Sequence, residues 1–373
     1  MSQIHTLTMP KWGLSMTEGR VNAWLKAEGD PIAKGDEVLD VETDKISSSV
    51  EAPFSGTLRR CLAREDETLA VGALLAIVVD GEASDEEIDA VIARFEEDFV
   101  PGGEDAADAG PQAQRVDIDG RPLRYLERGA GGLPLVLIHG FSGDLDNWLF
   151  NHEALAAERR VIALDLPGHG QSGKTLATGD LAELGAAVLG LLDHLDIPRA
   201  VLVGHSMGGA VALHLAQVAP QRVAGLVLIG SAGLGAEING EYLSGFVAAT
   251  SRNQLKGPVS LLFSDPGLVT RPLLEDLLKY KRLEGVDAAL HQLAGTLFPG
   301  GRQAQVLRNV LSGDIPALLI WGKADAIIPA QHAESLPSAV QVEVLADQGH
   351  MVQMEAADRV NALIQAFLSR CAA

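Results

Sequence analysis

Val201-Leu-Val-Gly-His-Ser206-Met-Gly-Gly-Ala-Val-Ala-Leu-His-Leu-Ala216 sets the fold class of the larger part of the chain. Val201–Val203 is a short apolar run of strand type. Ala210–Ala216 has the composition of a buried helix. Between them lies Gly204-His-Ser206-Met-Gly208, a Gly-x-Ser-x-Gly turn. A strand feeding directly into a helix needs a tight turn, and side chains at the two glycine positions would collide there. Such a turn lifts the Ser206 hydroxyl above the edge of a sheet. The pentapeptide alone is a weak pattern; flanked by strand and helix it is specific.

The surrounding sequence continues the alternation. Val116–Asp119 and Leu123–Arg128 read as a hairpin around Asp119-Gly120. Strand-like runs follow at Leu135–Ile138, Arg160–Leu164, Ala200–Val203, Leu226–Ile229, Ala317–Ile320 and Gln341–Leu345, with helical patterns between most of them. The layout predicts an α/β domain with a mostly parallel sheet over residues 115–373. A serine nucleophile needs a base and an orienting acid, in the chain order acid then histidine after this kind of turn. Asp325 lies just past one strand and His350 just past the last, before a C-terminal helix at 356–369. Ser206, Asp325 and His350 are therefore the predicted triad. Asp347 is the rival acid, but it shares a short loop with His350. The backbone N–H groups of Met207 and Phe141 are the predicted oxyanion hole.

The other histidines are assigned ordinary roles. His139 and His169 support loops, and His205 points away from the nucleophile. His194, His214, His291 and His332 are surface or helix residues. No spacing suggests a metal site. With the motif Asp165-Leu-Pro-Gly-His-Gly-Gln-Ser172, residues 115–371 resemble the α/β-hydrolase superfamily. That resemblance implies that the interrupting segment at about 236–312 is a helical cap over the site.

The first 80 residues contain an internal repeat at an offset of 37, with Gly19, Leu25, Glu28 and Gly35 over Gly56, Leu62, Glu65 and Gly72. Short alternating runs between turn residues predict a small all-β sandwich with pseudo-two-fold symmetry. Leu39–Thr43 and Ile46–Val50 read as strands, with Asp44-Lys45 at the hairpin tip between them. Met9-Pro-Lys, Gly35–Lys45 and Glu51-Ala-Pro-Phe-Ser-Gly56 resemble a lipoyl domain. The resemblance implies that Lys45 carries covalent lipoate, installed by a lipoate-attachment enzyme. Related biotinyl domains have Met on both sides of the lysine; here Asp44 and Ile46 flank it, which favours lipoate.

Charge divides the chain further. The protein has 29 basic and 50 acidic residues, a formal net charge of −21, and 11 of those acids against one basic residue fall in 81–114. Ser84-Asp-Glu-Glu87 reads as a capping box, and Ile88, Val91, Ile92, Phe95 and Phe99 fall at helical spacing, so this connector begins with a helix. Residues 101–113 have linker composition. The helix either docks a partner or leans on one of the chain's own domains. The acidity and the 4% aromatic content argue against nucleic acid and anionic membranes as partners. Two cysteines, no leader pattern and no long apolar run lead to a cytoplasmic expectation.

The pairing of the two domains, in this order, resembles the dihydrolipoamide acetyltransferase (E2) component of bacterial acetoin dehydrogenase complexes. This implies a cycle of three enzymes. A thiamine-diphosphate-dependent E1 cleaves acetoin and acetylates the lipoyl group. This chain passes the acetyl group to coenzyme A, and a dihydrolipoamide dehydrogenase (E3) reoxidises the arm. The chain lacks the His-x-x-x-Asp-Gly motif of ordinary E2 acyltransferase domains: Arg115 stands four residues before Asp119. It also lacks a basic subunit-binding domain. The expectation is that transfer through Ser206 takes the place of that chemistry. The alternatives are a hydrolase carried on a lipoyl domain, acting on a thioester, an ester or a carbon–carbon bond, and a lipoyl carrier with an idle hydrolase fold.

Overall fold

The computed structural model of the protein describes residues 3–10, 16, 18–42, 47–81, 83–99 and 112–371. They form two compact units, Met1–Gly110 and Pro111–Ala373.

The first unit contains β1 (Gln3–Thr8), β2 (Glu18–Trp24), β3 (Pro31–Ile32), β4 (Glu37–Glu42), β5 (Ser47–Glu51), β6 (Gly56–Cys61), β7 (Thr68–Ala70), β8 (Leu74–Asp80) and α1 (Asp85–Asp98). The strands form two antiparallel sheets, β1-β8-β6-β3 and β5-β4-β2-β7. The sequence repeat explains this order. Replacing β5, β4, β2 and β7 by their counterparts in the other half turns one sheet order into the other, and each half lends two strands to each sheet. Val21, Val38, Leu39, Val41, Leu58 and Leu75 fill the core between them.

The expected connector helix is α1, capped by Ser84. Glu87 N donates to Ser84 Oγ (3.3 Å), and Ser84 N donates to Glu87 Oε2 (2.8 Å). Three acids in its first turn suit the positive end of the helix dipole. Its apolar face is covered from within the unit. Ile88 is fully buried against Ile77 and Val79, worth roughly 2 kcal/mol. Arg60 and Arg59 hold Asp85 at 2.8 and 3.6 Å. The helix therefore leans on its own domain.

The second unit is an eight-stranded sheet of order β16-β15-β14-β13-β11-β12-β10-β9. The strands are β9 (Gln114–Ile118), β10 (Arg121–Arg128), β11 (Leu135–Ile138), β12 (Val161–Leu164), β13 (Ala200–His205), β14 (Val223–Ile229), β15 (Ala317–Gly322) and β16 (Gln341–Leu345). The six from β11 to β16 are parallel, while β9 and β10 form the expected antiparallel hairpin. Its turn, Asp119-Gly120, has positive φ at both residues (51° and 79°). Every residue of β11 to β15 is buried, as a parallel sheet covered on both faces requires. The helices are α2 (Leu149–Ala156), α3 (Leu181–His194), α4 (Met207–Val218), α5 (Gly240–Ala248), α6 (Arg252–Ser260), α7 (Arg271–Lys281), α8 (Val286–Leu297), α9 (Val352–Glu355) and α10 (Ala357–Cys371). Helices α5 to α8 fall between β14 and β15 and make up the inserted segment.

Candidate active site

Ser206 occupies the turn from β13 into α4 with φ 52° and ψ −118°, a conformation that non-glycine residues rarely hold. Its backbone is fixed on both sides: its N–H donates to Ile229 O, and its carbonyl accepts from Gly209 N and Ala232 N, each at 2.9 Å. The flanking glycine is obligatory, because a Cβ at Gly208 would lie 2.2 Å from the Ile138 carbonyl oxygen.

Parallel pairing brings the other expected residues to the same sheet edge. β13 pairs with β11, Gly204 beside Ile138, so the loop His139-Gly140-Phe141 leaves the sheet next to Ser206. A Cβ at Gly140 would be 3.0 Å from Ser206 Cβ, which shows how closely that loop passes the serine. Met207 is the first residue of the 12-residue helix α4, so its N–H has no acceptor within the helix and sits at the positive end of the helix dipole.

Asp325 and His350 follow β15 and β16, which are neighbours in the sheet. His350 Nδ1 lies 2.8 Å from Asp325 Oδ2, and the two side chains are 2% and 0% exposed. The other carboxylate oxygen accepts from Ile327 N (2.8 Å) and Ile328 N (2.9 Å). The carboxylate thus has one oxygen for the backbone and one for the imidazole. A carboxylate only accepts, so Nδ1 carries the proton and Nε2 keeps its lone pair. Asp347 is exposed and takes no part in this pair.

His205 adds a tie that its sequence position did not suggest. Its Nε2 donates to the His350 carbonyl oxygen at 3.0 Å, and the two rings lie 4.7 Å apart. The loop that carries His350 is therefore bonded to the residue that precedes Ser206. Burial, and then the neighbouring His350, push the His205 pKa well down, so it acts as a neutral donor.

The loops beneath the site rest on buried polar pairs. His139 Nε2 accepts from Leu166 N (2.9 Å), which requires a neutral ring, and burial lowers its pKa. Asp165, fully buried, binds Arg124 Nη1 (3.1 Å) and accepts from Leu145 N and Gln171 N. His332, expected as an ordinary surface or helix residue, is instead buried in a short 3₁₀ turn. There it contacts Glu237 Oε2 at 2.9 Å and meets Trp321 edge-on.

The segment 236–312 contributes an aromatic cluster that sequence reasoning missed. Phe141 meets Phe246, Phe298 and His169 edge-to-face at 6.2–6.4 Å. Tyr242 Oη lies 3.2 Å from Ser142 Oγ. The only signal for Phe298 in the sequence is its place before Pro299-Gly300-Gly301, where a helix must stop.

Lys45 falls in 43–46, outside the described residues. The strands on either side, β4 and β5, are paired up to Glu42 and Ser47. Among the described residues no cluster of three or more His, Cys, Asp or Glu could hold a metal ion, and no helix is long and apolar enough to cross a membrane.

A serine on a strained strand-to-helix turn, with an Asp-His pair on adjacent strand ends, defines a serine-hydrolase-type domain. Residues 134–357 match the alpha/beta hydrolase fold family, and residues 5–78 match the biotin/lipoyl family described as biotin-requiring enzymes. Along its full length the chain belongs to the family of dihydrolipoyllysine-residue acetyltransferase components of acetoin cleaving systems. It is 67% identical to the member from Pseudomonas putida over 99% of this chain and 100% of that one. It is 50% identical to the member from Cupriavidus necator over 97% and 96%. Among solved structures, a meta-cleavage product hydrolase from Pseudomonas fluorescens IP01 matches 69% of this chain and 97% of its own, with a TM-score of 0.62 and 26% identity.

Proposed function

We propose that this chain transfers acetyl groups between a dihydrolipoyl thiol and coenzyme A within an acetoin-cleaving system, and that Ser206 carries the acetyl group between them. The observation that carries the reading is the full-length match to proteins named for this transferase, which runs through both units. The lipoyl group, attached to Lys45, would supply a dithiol that accepts and presents an acetyl thioester.

The chain's own residues then do the following. His350 Nε2 takes the Ser206 proton as Oγ attacks the thioester carbonyl. The amides of Met207 and Phe141 hold the oxyanion. The C–S bond breaks, the leaving sulfur takes the proton from His350, and the acetyl group stays on Oγ. The coenzyme A thiol next loses its proton to His350 and attacks the acetyl-serine. Ser206 Oγ leaves with that proton. Asp325 keeps Nδ1 protonated throughout and stabilises the imidazolium. Water would divert the acetyl group to acetate. The space beside Met207, about 20 Å³, is room for about one water molecule.

The partners that complete the system would be a thiamine-diphosphate-dependent E1, a dihydrolipoamide dehydrogenase and a lipoate-attachment enzyme, in the cytoplasm. A second reading, a hydrolase borne on a lipoyl domain, draws on the likeness to the meta-cleavage product hydrolase. Idle scaffolding is disfavoured by the strain retained at Ser206.

The test is to incubate the protein with acetyl-coenzyme A and dihydrolipoamide, beside Ser206→Ala, and quantify acetyl-dihydrolipoamide and free acetate. Acetyl-dihydrolipoamide that disappears in the variant supports transfer through the serine. Acetate without acetyl-dihydrolipoamide would overturn it in favour of the hydrolase.

A further inference from the structure

Two hollows in the second unit meet at one side chain. The inner one, about 20 Å³, lies beside Met207, Ala210 and Ala232. The outer one is an open groove of about 290 Å³ along α5 and α8, formed by Leu243, Ser244, Val247, His291 and Ala294. Phe298 borders both.

The inner hollow is too small for a thioester, so passage from the groove toward the Ser206 turn requires part of the intervening wall to move. Phe298 is the part suited to move. It caps the end of α8 and precedes Pro299-Gly300-Gly301, whose glycines have φ of 61° and 72°. Its ring leans edge-on against Phe141, which also bears the second oxyanion amide, at 6.2 Å.

The groove's chemistry limits its occupant. Its lining holds no Lys, Arg, Asp or Glu, and its one titratable side chain, His291, is tied to Asp287 O at 2.9 Å. Nothing there complements phosphate. The volume is at the small end of ligand sites, which run from about 300 Å³ upward. Those properties match a slender, uncharged, thiol-terminated chain. The lipoyl arm and the pantetheine arm of coenzyme A share that chemistry, but the latter brings a polyanionic nucleotide behind it.

Resting on the acetyltransferase reading above, we infer that this groove receives the dihydrolipoyl arm and that Phe298 is the gate between it and Ser206.

Two variants fill the groove: Ser244→Trp at its exposed rim and Ala294→Trp on its wall. Thermal melting checks that each is folded, and the exposed rim position makes the first robust. Calorimetric binding of free dihydrolipoamide should weaken at least tenfold in both, and its KM in acetyl transfer from acetyl-coenzyme A should rise likewise. A parallel rise in the KM for acetyl-coenzyme A would extend the same groove to the pantetheine arm and still support the assignment. Unchanged dihydrolipoamide binding and KM in both variants, or a rise confined to acetyl-coenzyme A, would overturn it. Phe298→Ala should raise the ratio of acetate to acetyl-dihydrolipoamide at least fivefold by admitting water; an unchanged ratio removes the gate. Failure of the parent reading looks different: the unmodified sequence would bind dihydrolipoamide in a Trp-sensitive way and yet transfer no acetyl group.

Discussion

Asp325→Asn tests the site with almost no change of shape. In the structure one carboxylate oxygen of Asp325 accepts two backbone N–H groups, from Ile327 and Ile328, and the other faces His350 Nδ1 at 2.8 Å. An asparagine must keep its carbonyl on the two backbone donors, because turning it over would set an NH₂ against two N–H groups. Its NH₂ then faces His350. A donor in that place forces Nδ1 to accept, and the imidazole proton moves to Nε2, where a base needs a lone pair. The backbone fold loses nothing, yet the base is in the wrong tautomer. The expected loss in kcat is about 10⁴-fold, the scale seen when a serine hydrolase is given this defect. That corresponds to about 5 kcal/mol on the barrier. The assay is acetyl transfer to dihydrolipoamide at saturating substrate, with thermal melting alongside. A variant that melts normally and keeps more than a tenth of the parent kcat would refute the tautomer argument.

Gly208→Ala should lower stability by at least about 3 kcal/mol or abolish soluble expression, since its Cβ would stand 2.2 Å from a backbone oxygen that cannot yield; denaturant titration giving a loss under 1 kcal/mol would contradict this. Burial holds the His152 pKa down at about 4, against an ordinary 6.5, while its Nε2 bonds to Val161 O. The unfolded chain therefore binds the extra proton between those values. The resulting stability is complete above pH 6.5 and falls away towards pH 4, by about 3 kcal/mol for this group. Urea titrations at pH 7 and 4.5 should show the drop, and His152→Gln should reduce it; an equal drop in the variant would rule out His152 as its source. Burial, with the Glu28 charge second, raises the Cys61 thiol to about 11 from an ordinary 9.0. Alkylation of Cys61 at neutral pH should run about 100-fold slower in the folded protein than in urea, in line with its thiolate fraction; mass spectrometry showing rates within threefold would refute that.

Much of the candidate site was legible in the sequence because its signals are local. The turn at Ser206 needs glycines at fixed offsets, and strand ends before Asp325 and His350 fix the sheet edge on which those residues stand. The connector helix was legible for the same reason: its cap and apolar face lie within 16 residues. The docking of that face on Ile77 and Val79 was not, since an apolar stripe does not name what covers it. The inserted segment was opaque for a related reason. Phe298 meets Phe141 across more than 150 residues of chain, and no periodicity couples them. His205 looked like a bystander because its partner, the His350 carbonyl, is a backbone atom 145 residues away. His332 misled for the converse reason: a polar residue in a short 3₁₀ turn has the composition of a surface, and only Glu237 and Trp321 make its burial tolerable.

The backbone at Ser206 has a consequence for evolution in the laboratory. Its φ of 52° and ψ of −118° hold about 1–3 kcal/mol of strain that the surrounding hydrogen bonds must override. Glycine would occupy the same angles more comfortably. A library selected only for heat resistance would thus be drawn toward replacing this serine, whereas one selected for turnover would retain it. Which residue survives under each regime is a record of whether the strain serves chemistry or merely persists.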